Sequence, residues 1–163
     1  MPQPENWKHG RAWFIGDRVS TEQIIPHEYL SLGTAEALGG HVLGGLDMVW
    51  AGRFRRGDVL FAGHDFGWGD PRDQAALALR GAGLACVVAR SFDRYFVLSA
   101  RANRLQLVTL PVGVSSGVQG QDVWYDLRRG QLRFAYEGVA LQGEVSRRRS
   151  GPQALAGAFS AKL

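Results

Sequence analysis

The feature that most restricts this chain is a strict alternation of short apolar runs with helix-forming stretches between residues 58 and 110. Asp58-Val59-Leu60-Phe61-Ala62-Gly63 reads as a buried strand. Asp70-Pro71 then opens an alanine-rich helix to about Arg80, stopped by Gly81 and Gly83. Asp is a favoured N-cap and Pro a favoured first helical residue, so Asp70 is expected to cap this helix. Leu84 to Ala89 gives the next strand, Ser91 is expected to cap a second helix, and Leu105 to Leu110 gives a third strand. Strand–helix–strand–helix–strand order requires right-handed βαβ crossovers and a parallel sheet, which places the chain in the α/β class.

The flanks extend this core. Arg11 to Ile15 is β-like, and Thr34 to Leu38 is a candidate short helix. Val123 to Leu127 and Leu132 to Tyr136 flank a turn at Gly130, which predicts a C-terminal hairpin and hence a mixed sheet. A chain of 163 residues suits one domain, here residues 1–163, with 1–9 and 147–163 expected to be loosely ordered.

Composition narrows the function classes. The N-terminus lacks a basic region followed by an apolar run, and no apolar stretch approaches the roughly 20 residues of a membrane span, so a soluble cytoplasmic protein with no membrane partner is expected. Cys86 is the only cysteine and lies in a strand-like apolar run, which predicts a small core residue. Iron–sulfur clusters are normally held by several thiolates, so this chain alone cannot hold one. His9, His27, His41 and His64 show no metal-ligand spacing; no metal site is expected, and His64 is the one histidine placed near a functional loop. The net charge of +4 comes from scattered arginines without a nucleic-acid-binding motif, so no nucleic acid is expected, whereas a small anionic substrate or an acidic partner suits it.

The chemistry concentrates in the loop after the first strand of the alternation, His64-Asp65-Phe66-Gly67-Trp68-Gly69-Asp70-Pro71-Arg72-Asp73-Gln74-Ala75. Glycines let backbone approach a ligand, and a helix N-terminus offers unpaired N–H groups that attract anions. Arg72, in the first turn, can grip a carboxylate through two parallel hydrogen bonds. The Lys-Ser/Thr ending of a P-loop is missing, and the glycine spacing is not that of a dinucleotide fingerprint. Spacing alone supports anion binding or a well-capped structural helix.

Asp65 to Ala75 matches without a gap the motif N-F-G-C-G-S-S-R-E-H-A, keeping Phe66, Gly67, Gly69, Arg72 and Ala75. Gly10-Arg11-Ala12-Trp13, Gly16-Asp17 and Thr21 to Pro26 resemble G-R-x-W…G-D-x-I-D-T-D-x-I-I-P; Gly57 to Gly63 resembles P-G-D-I-I-V-A-G; Ala89 to Phe96 resembles A-K-S-F-A-R-I-F. By these motifs the chain resembles the small subunits of isopropylmalate isomerase (3-isopropylmalate dehydratase) and homoaconitase, within the aconitase superfamily.

The resemblance implies an aconitase swivel-type β/β/α domain in a heterodimeric hydro-lyase of leucine biosynthesis. The large partner subunit would carry a four-iron–four-sulfur cluster acting as Lewis acid on a hydroxy-dicarboxylate or tricarboxylate. This chain, with no cofactor of its own, would complete the active site. Residue by residue, it implies that Arg72 binds a substrate carboxylate, with Thr21, Glu22 and Gly69 also in the substrate cradle. Tyr29, Leu30 and Ser31 fall at the family's specificity loop. The family's proton-abstracting Ser is Asp70 here, its second Ser is Pro71, its Cys is Trp68, and Ser20 replaces an acidic residue of the opening motif. These departures leave open whether Asp70 acts as the base or caps the helix. They also leave open an altered paralogue that serves as a binding or regulatory module.

Overall fold

The computed structural model describes residues 6–114, 116–134 and 140–146. Four strands run parallel at its centre: β1 (Lys8–Phe14), β2 (Val59–Phe61), β3 (Cys86–Ala89) and β4 (Gln106–Thr109). β5 (Gln121–Asp126) pairs antiparallel with β1, and β6 (Gln131–Phe134) forms the expected hairpin with it, Asp126 opposite Gln131. Lys8 and His9, in the segment expected to be loose, pair with Tyr125 and Trp124, so β1 begins earlier than its apolar stretch. The expectation for 147–163, and Tyr136 of the predicted hairpin, lie outside the described residues.

Two further strands carry no strong sequence signal. β7 (Ala140–Gln142) pairs with β6, and β8 (Glu144–Val145) pairs with β4, giving the order β7-β6-β5-β1-β2-β3-β4-β8. Only Gly143 separates the two edge strands, so the sheet curls until its edges meet. A Cβ at Gly143 would run into Val108 and approach Thr109 O to 3.0 Å, which requires glycine at this seam.

Alternation along the strands divides the core in two. Ala12, Phe14, Val59, Phe61, Cys86, Val88 and Val108 face the enclosed interior with Val123, Tyr125, Leu132 and Phe134. Trp13, Leu60, Ala62, Val87, Ala89 and Leu107 face outward, where the helices cover them. Both faces of the parallel strands are therefore dry, which explains why they read as unbroken apolar runs.

The helices are short: α1 (Thr21–Ile24), α2 (Ala35–Gly39), α3 (Asp73–Gly81) and α4 (Arg94–Ala102). Two sequence expectations about their starts are corrected. Asp70 does not cap α3: the N-cap is Arg72, extended at φ −148°, ψ 125°, and it makes no side-chain capping bond. Proline at 71 disfavours helical geometry at Asp70, and the chain turns only after Arg72 has pointed its side chain inward. Asp93, not Ser91, caps α4, its carboxylate accepting from Tyr95 N and Phe96 N. Ser91 instead clamps the preceding loop, its hydroxyl accepting from Asp65 N at 2.8 Å. No helix among the described residues is long and apolar enough to cross a membrane.

Candidate active site at the carboxyl ends of the parallel strands

The loops leaving β1, β2 and β3 meet at one end of the sheet, the usual ligand-binding end of an open α/β sheet. The β2 loop is threaded between the other two. On one side Gly67 N donates to Val19 O at 2.7 Å and Thr21 N to Trp68 O at 2.8 Å, and Ser20 and Trp68 form a parallel bridge. On the other, Phe66 N donates to Ser91 O, Asp93 N donates to Phe66 O, and Phe66 bridges Phe92.

Phe66 anchors the loop from beneath. Its buried ring meets Phe92 and Phe96 edge-on, with centroids 6.0 and 5.3 Å away. Gly67 crosses over Phe96 at φ +83°, where a Cβ would lie 2.7 Å from the Phe96 Cβ and closer still to its ring. Only glycine accepts both the dihedral and the approach.

Residues 15–25 form the opposite wall. Ser20 and Gln23 make a capping box on α1: Ser20 Oγ accepts from Gln23 N, and Gln23 Oε1 accepts from Ser20 N. The S-x-x-Q spacing at 20–23 signals this box, so Ser20 has a structural role of its own at the position where the family motif carries an acid. Thr21 is buried, and its hydroxyl donates to Asp70 O at 2.7 Å, so it ties the loop down from within. Gly69 lies against it, at φ +102°.

Arg72 is the centre of the arrangement. Its side chain is 10% exposed, and Nη1 donates to Ile25 O at 3.2 Å. Nη2 lies 3.8 Å from Glu22 Oε1 and 3.9 Å from Asp70 Oδ2, both beyond hydrogen-bond range. Nε is buried with no hydrogen-bond partner. Both carboxylates are mostly in water, Glu22 66% and Asp70 80% exposed. A buried guanidinium with an unmet N–H and only long contacts along its outer edge can receive a carboxylate in bidentate geometry.

Trp68 overhangs the loop, 40% exposed, with its indole N–H on Arg18 O at 2.7 Å. The Arg18 guanidinium stands 4.9 Å over its ring and 3.6 Å from Asp65. Neither Arg18 nor the Ile25 carbonyl was marked from sequence; an indole at 68 and a backbone acceptor give no pattern to find. His64 is exposed, and its backbone N–H donates to Asp17 Oδ1 at 2.7 Å.

The expected specificity residues sit just beyond Ile25. Tyr29 ends a 3₁₀ turn (His27–Tyr29), and its ring stacks on His41, centroids 3.8 Å apart. Tyr29 and Leu30 pack against the core, and Ser31 is exposed. At the amino ends of the strands a separate cavity of about 990 Å³ is lined by Lys8, Arg56, Arg80, Gly83 and Tyr125, and Arg72 has no part in it.

The donor set of the described residues does not suit a resident metal cluster. Among the described residues no three His, Cys, Asp or Glu side chains gather as ligands. Cys86, the one cysteine of the chain, faces the enclosed interior, and burial pushes its thiol up to about 12.

Comparison with known proteins bears on this geometry. Residues 51–116 match the family model described as the Aconitase C-terminal domain. The chain is 43% identical over 136 residues to 3-isopropylmalate dehydratase small subunit 1 of Methanopyrus kandleri, covering 83% of this chain and 79% of that protein. It is 39% identical to the methanogen homoaconitase small subunit of Methanothermobacter thermautotrophicus, covering 76% and 71%. Its fold superimposes on a crystal structure of 3-isopropylmalate dehydratase from Methanocaldococcus jannaschii with a TM-score of 0.80 at 29% identity, over 90% of this chain and 85% of that one.

Proposed function

Because the chain belongs to the family of 3-isopropylmalate dehydratase and homoaconitase small subunits, and so to an aconitase-type hydro-lyase, we propose that it closes over a large iron–sulfur subunit and anchors a hydroxy acid through Arg72. The observation that carries this reading is the nearly buried guanidinium of Arg72, with an unpartnered Nε and only long contacts to Glu22 and Asp70. The cluster on the large subunit would supply Lewis acidity, and this chain would supply the rest of the cradle.

Each residue of the cradle has a defined task. Arg72 binds one substrate carboxylate, replacing its long contacts by charge-assisted hydrogen bonds. Ile25 O and the packing around the side chain hold the guanidinium in place before substrate arrives, which lowers the ordering cost of binding. Thr21 fixes the backbone of Asp70, and Gly69 keeps the wall beside it free of a side chain. Asp70, at the position of the family's proton-abstracting serine, presents exposed carboxylate oxygens on the same rim and is the candidate proton acceptor. Trp68 restricts the mouth. Tyr29, Leu30 and Ser31, on the segment that follows Arg72's backbone partner Ile25, are the candidate discriminators of the remainder of the substrate.

The decisive experiment is anaerobic co-expression with the large subunit of the same organism, followed by assay of isopropylmalate and homologous acids against the large subunit alone. Turnover that requires this chain, and that Arg72→Ala abolishes, is the expected result. A complex that forms and binds but never turns over would replace the catalytic reading with a binding or regulatory module, a reading that Asp70 and Pro71 in place of the family's two serines also favour.

A further inference from the structure

We propose that Asp70 and Glu22 set the charge of the acid Arg72 accepts, favouring a hydroxy-dicarboxylate over a hydroxy-tricarboxylate. The inference rests on the reading of Arg72 as carboxylate anchor. The single positive charge of Arg72 is bracketed by two carboxylates from separate segments, Glu22 Oε1 at 3.8 Å and Asp70 Oδ2 at 3.9 Å. Neither contact is short enough to consume the guanidinium, so both act through space and leave the anchor open to a ligand. The local balance is one positive against two negative charges.

The backbone that carries each negative charge is fixed at the rim, while both carboxylates stand mostly in water. Asp70 precedes Pro71, whose ring fixes the backbone, and its carbonyl accepts from the buried Thr21 hydroxyl at 2.7 Å. Glu22 lies in the first turn of α1, whose start is locked by the Ser20–Gln23 capping box. The first carboxylate of any acid enters the buried guanidinium. Each further carboxylate lying toward this rim meets uncompensated like charge. At roughly 7 Å in near-aqueous surroundings one such repulsion weakens binding about three-fold, and two about ten-fold, less at high salt. An acid with three carboxylates has one more charge exposed to this penalty than an acid with two. The serine that the family motif carries at position 70 would contribute no such charge.

The test is calorimetric and does not require turnover. Dissociation constants of isopropylmalate and homocitrate are measured on the complex with its large subunit, at 20 and 200 mM salt. Asp70→Ser and Glu22→Gln should each reduce the preference for the dicarboxylate about three-fold, and the double variant about ten-fold, with the larger changes at low salt. Asp70→Glu, which keeps the charge, should retain the preference. Glu36→Gln, the same loss of charge on α2, should leave the ratio unchanged. A ratio that stays constant in the double variant at both salts, while Arg72→Ala still weakens both acids, overturns the charge selection alone. Unchanged binding of both acids by Arg72→Ala overturns the anchor beneath it.

Discussion

Replacing Gly67 by Ala tests whether the site loop is held by the aromatic cluster beneath it. Two costs add at this position. An alanine at φ +83° sits in left-handed space, at about 1–2 kcal/mol. Its Cβ would also lie 2.7 Å from the Cβ of Phe96 and nearer to the ring. Phe96 cannot retreat freely, because it stacks on Phe92 with centroids 6.3 Å apart and meets Phe66 edge-on at 5.3 Å. Overpacking of such a cluster costs about 1–3 kcal/mol more. For a chain of 163 residues the total of about 2–5 kcal/mol corresponds to a loss of about 5–15 °C in Tm. A double-mutant cycle by urea denaturation separates the terms. With Phe96→Ala in place the clash with the ring disappears while the contact with the Cβ of residue 96 remains, so Gly67→Ala should cost about 1–2 kcal/mol less than in the unaltered chain, and that difference is the coupling. Additivity within about 0.5 kcal/mol would refute the argument, since the two residues would then not be in the contact that forces glycine here.

Thr21→Val preserves shape but strips the hydroxyl from Asp70 O, and it should cost about 1–2 kcal/mol in the same denaturation assay. Asp58 is buried and accepts from Arg11 N, Trp13 Nε1 and Arg55 N, so Asp58→Ala leaves three donors stranded and should cost at least about 3 kcal/mol. Stability should fall as pH rises above about 9: the Cys86 thiol ionises near 9.0 in the unfolded chain but is pushed up to about 12 by burial in the fold, so the unfolded state loses its proton first. Cys86→Ala should flatten that fall by as much as about 1.4 kcal/mol per pH unit between these values; Tyr125, raised from 10.0 to about 12 mainly by burial, accounts for a remaining slope.

The parallel core was legible because its strands are dry on both faces, and unbroken runs such as Val59-Leu60-Phe61 admit few other readings. The loop 64–72 was legible as an anion site because its glycines and Arg72 carry the pattern themselves. The start of α3 was misread for a physical reason: Asp-Pro is a strong local helix-start signal, yet Arg72 is held extended by its inward contact with Ile25, a tertiary effect that local propensity does not contain. β7 and β8 escaped notice because strands of three and two residues are too short to show a period, and their pairing is decided by the closing of the sheet. Glu22 was marked only through its place in the family motif, and its distance from Arg72 depends on α1 folding against the loop.

The seam at Gly143 has a consequence for assembly. An ordinary open sheet ends in strands whose free N–H and C=O groups can template a strand from another molecule. Here the terminal strands are two and three residues long and are joined through one glycine, whose amide donates to Gly130 O at 2.8 Å. Among the described residues that leaves almost no ladder on which a second chain can polymerise. Truncation before Ala140 would remove both, baring the flanks of β4 and β6 together and converting a well-behaved subunit into an aggregation-prone one.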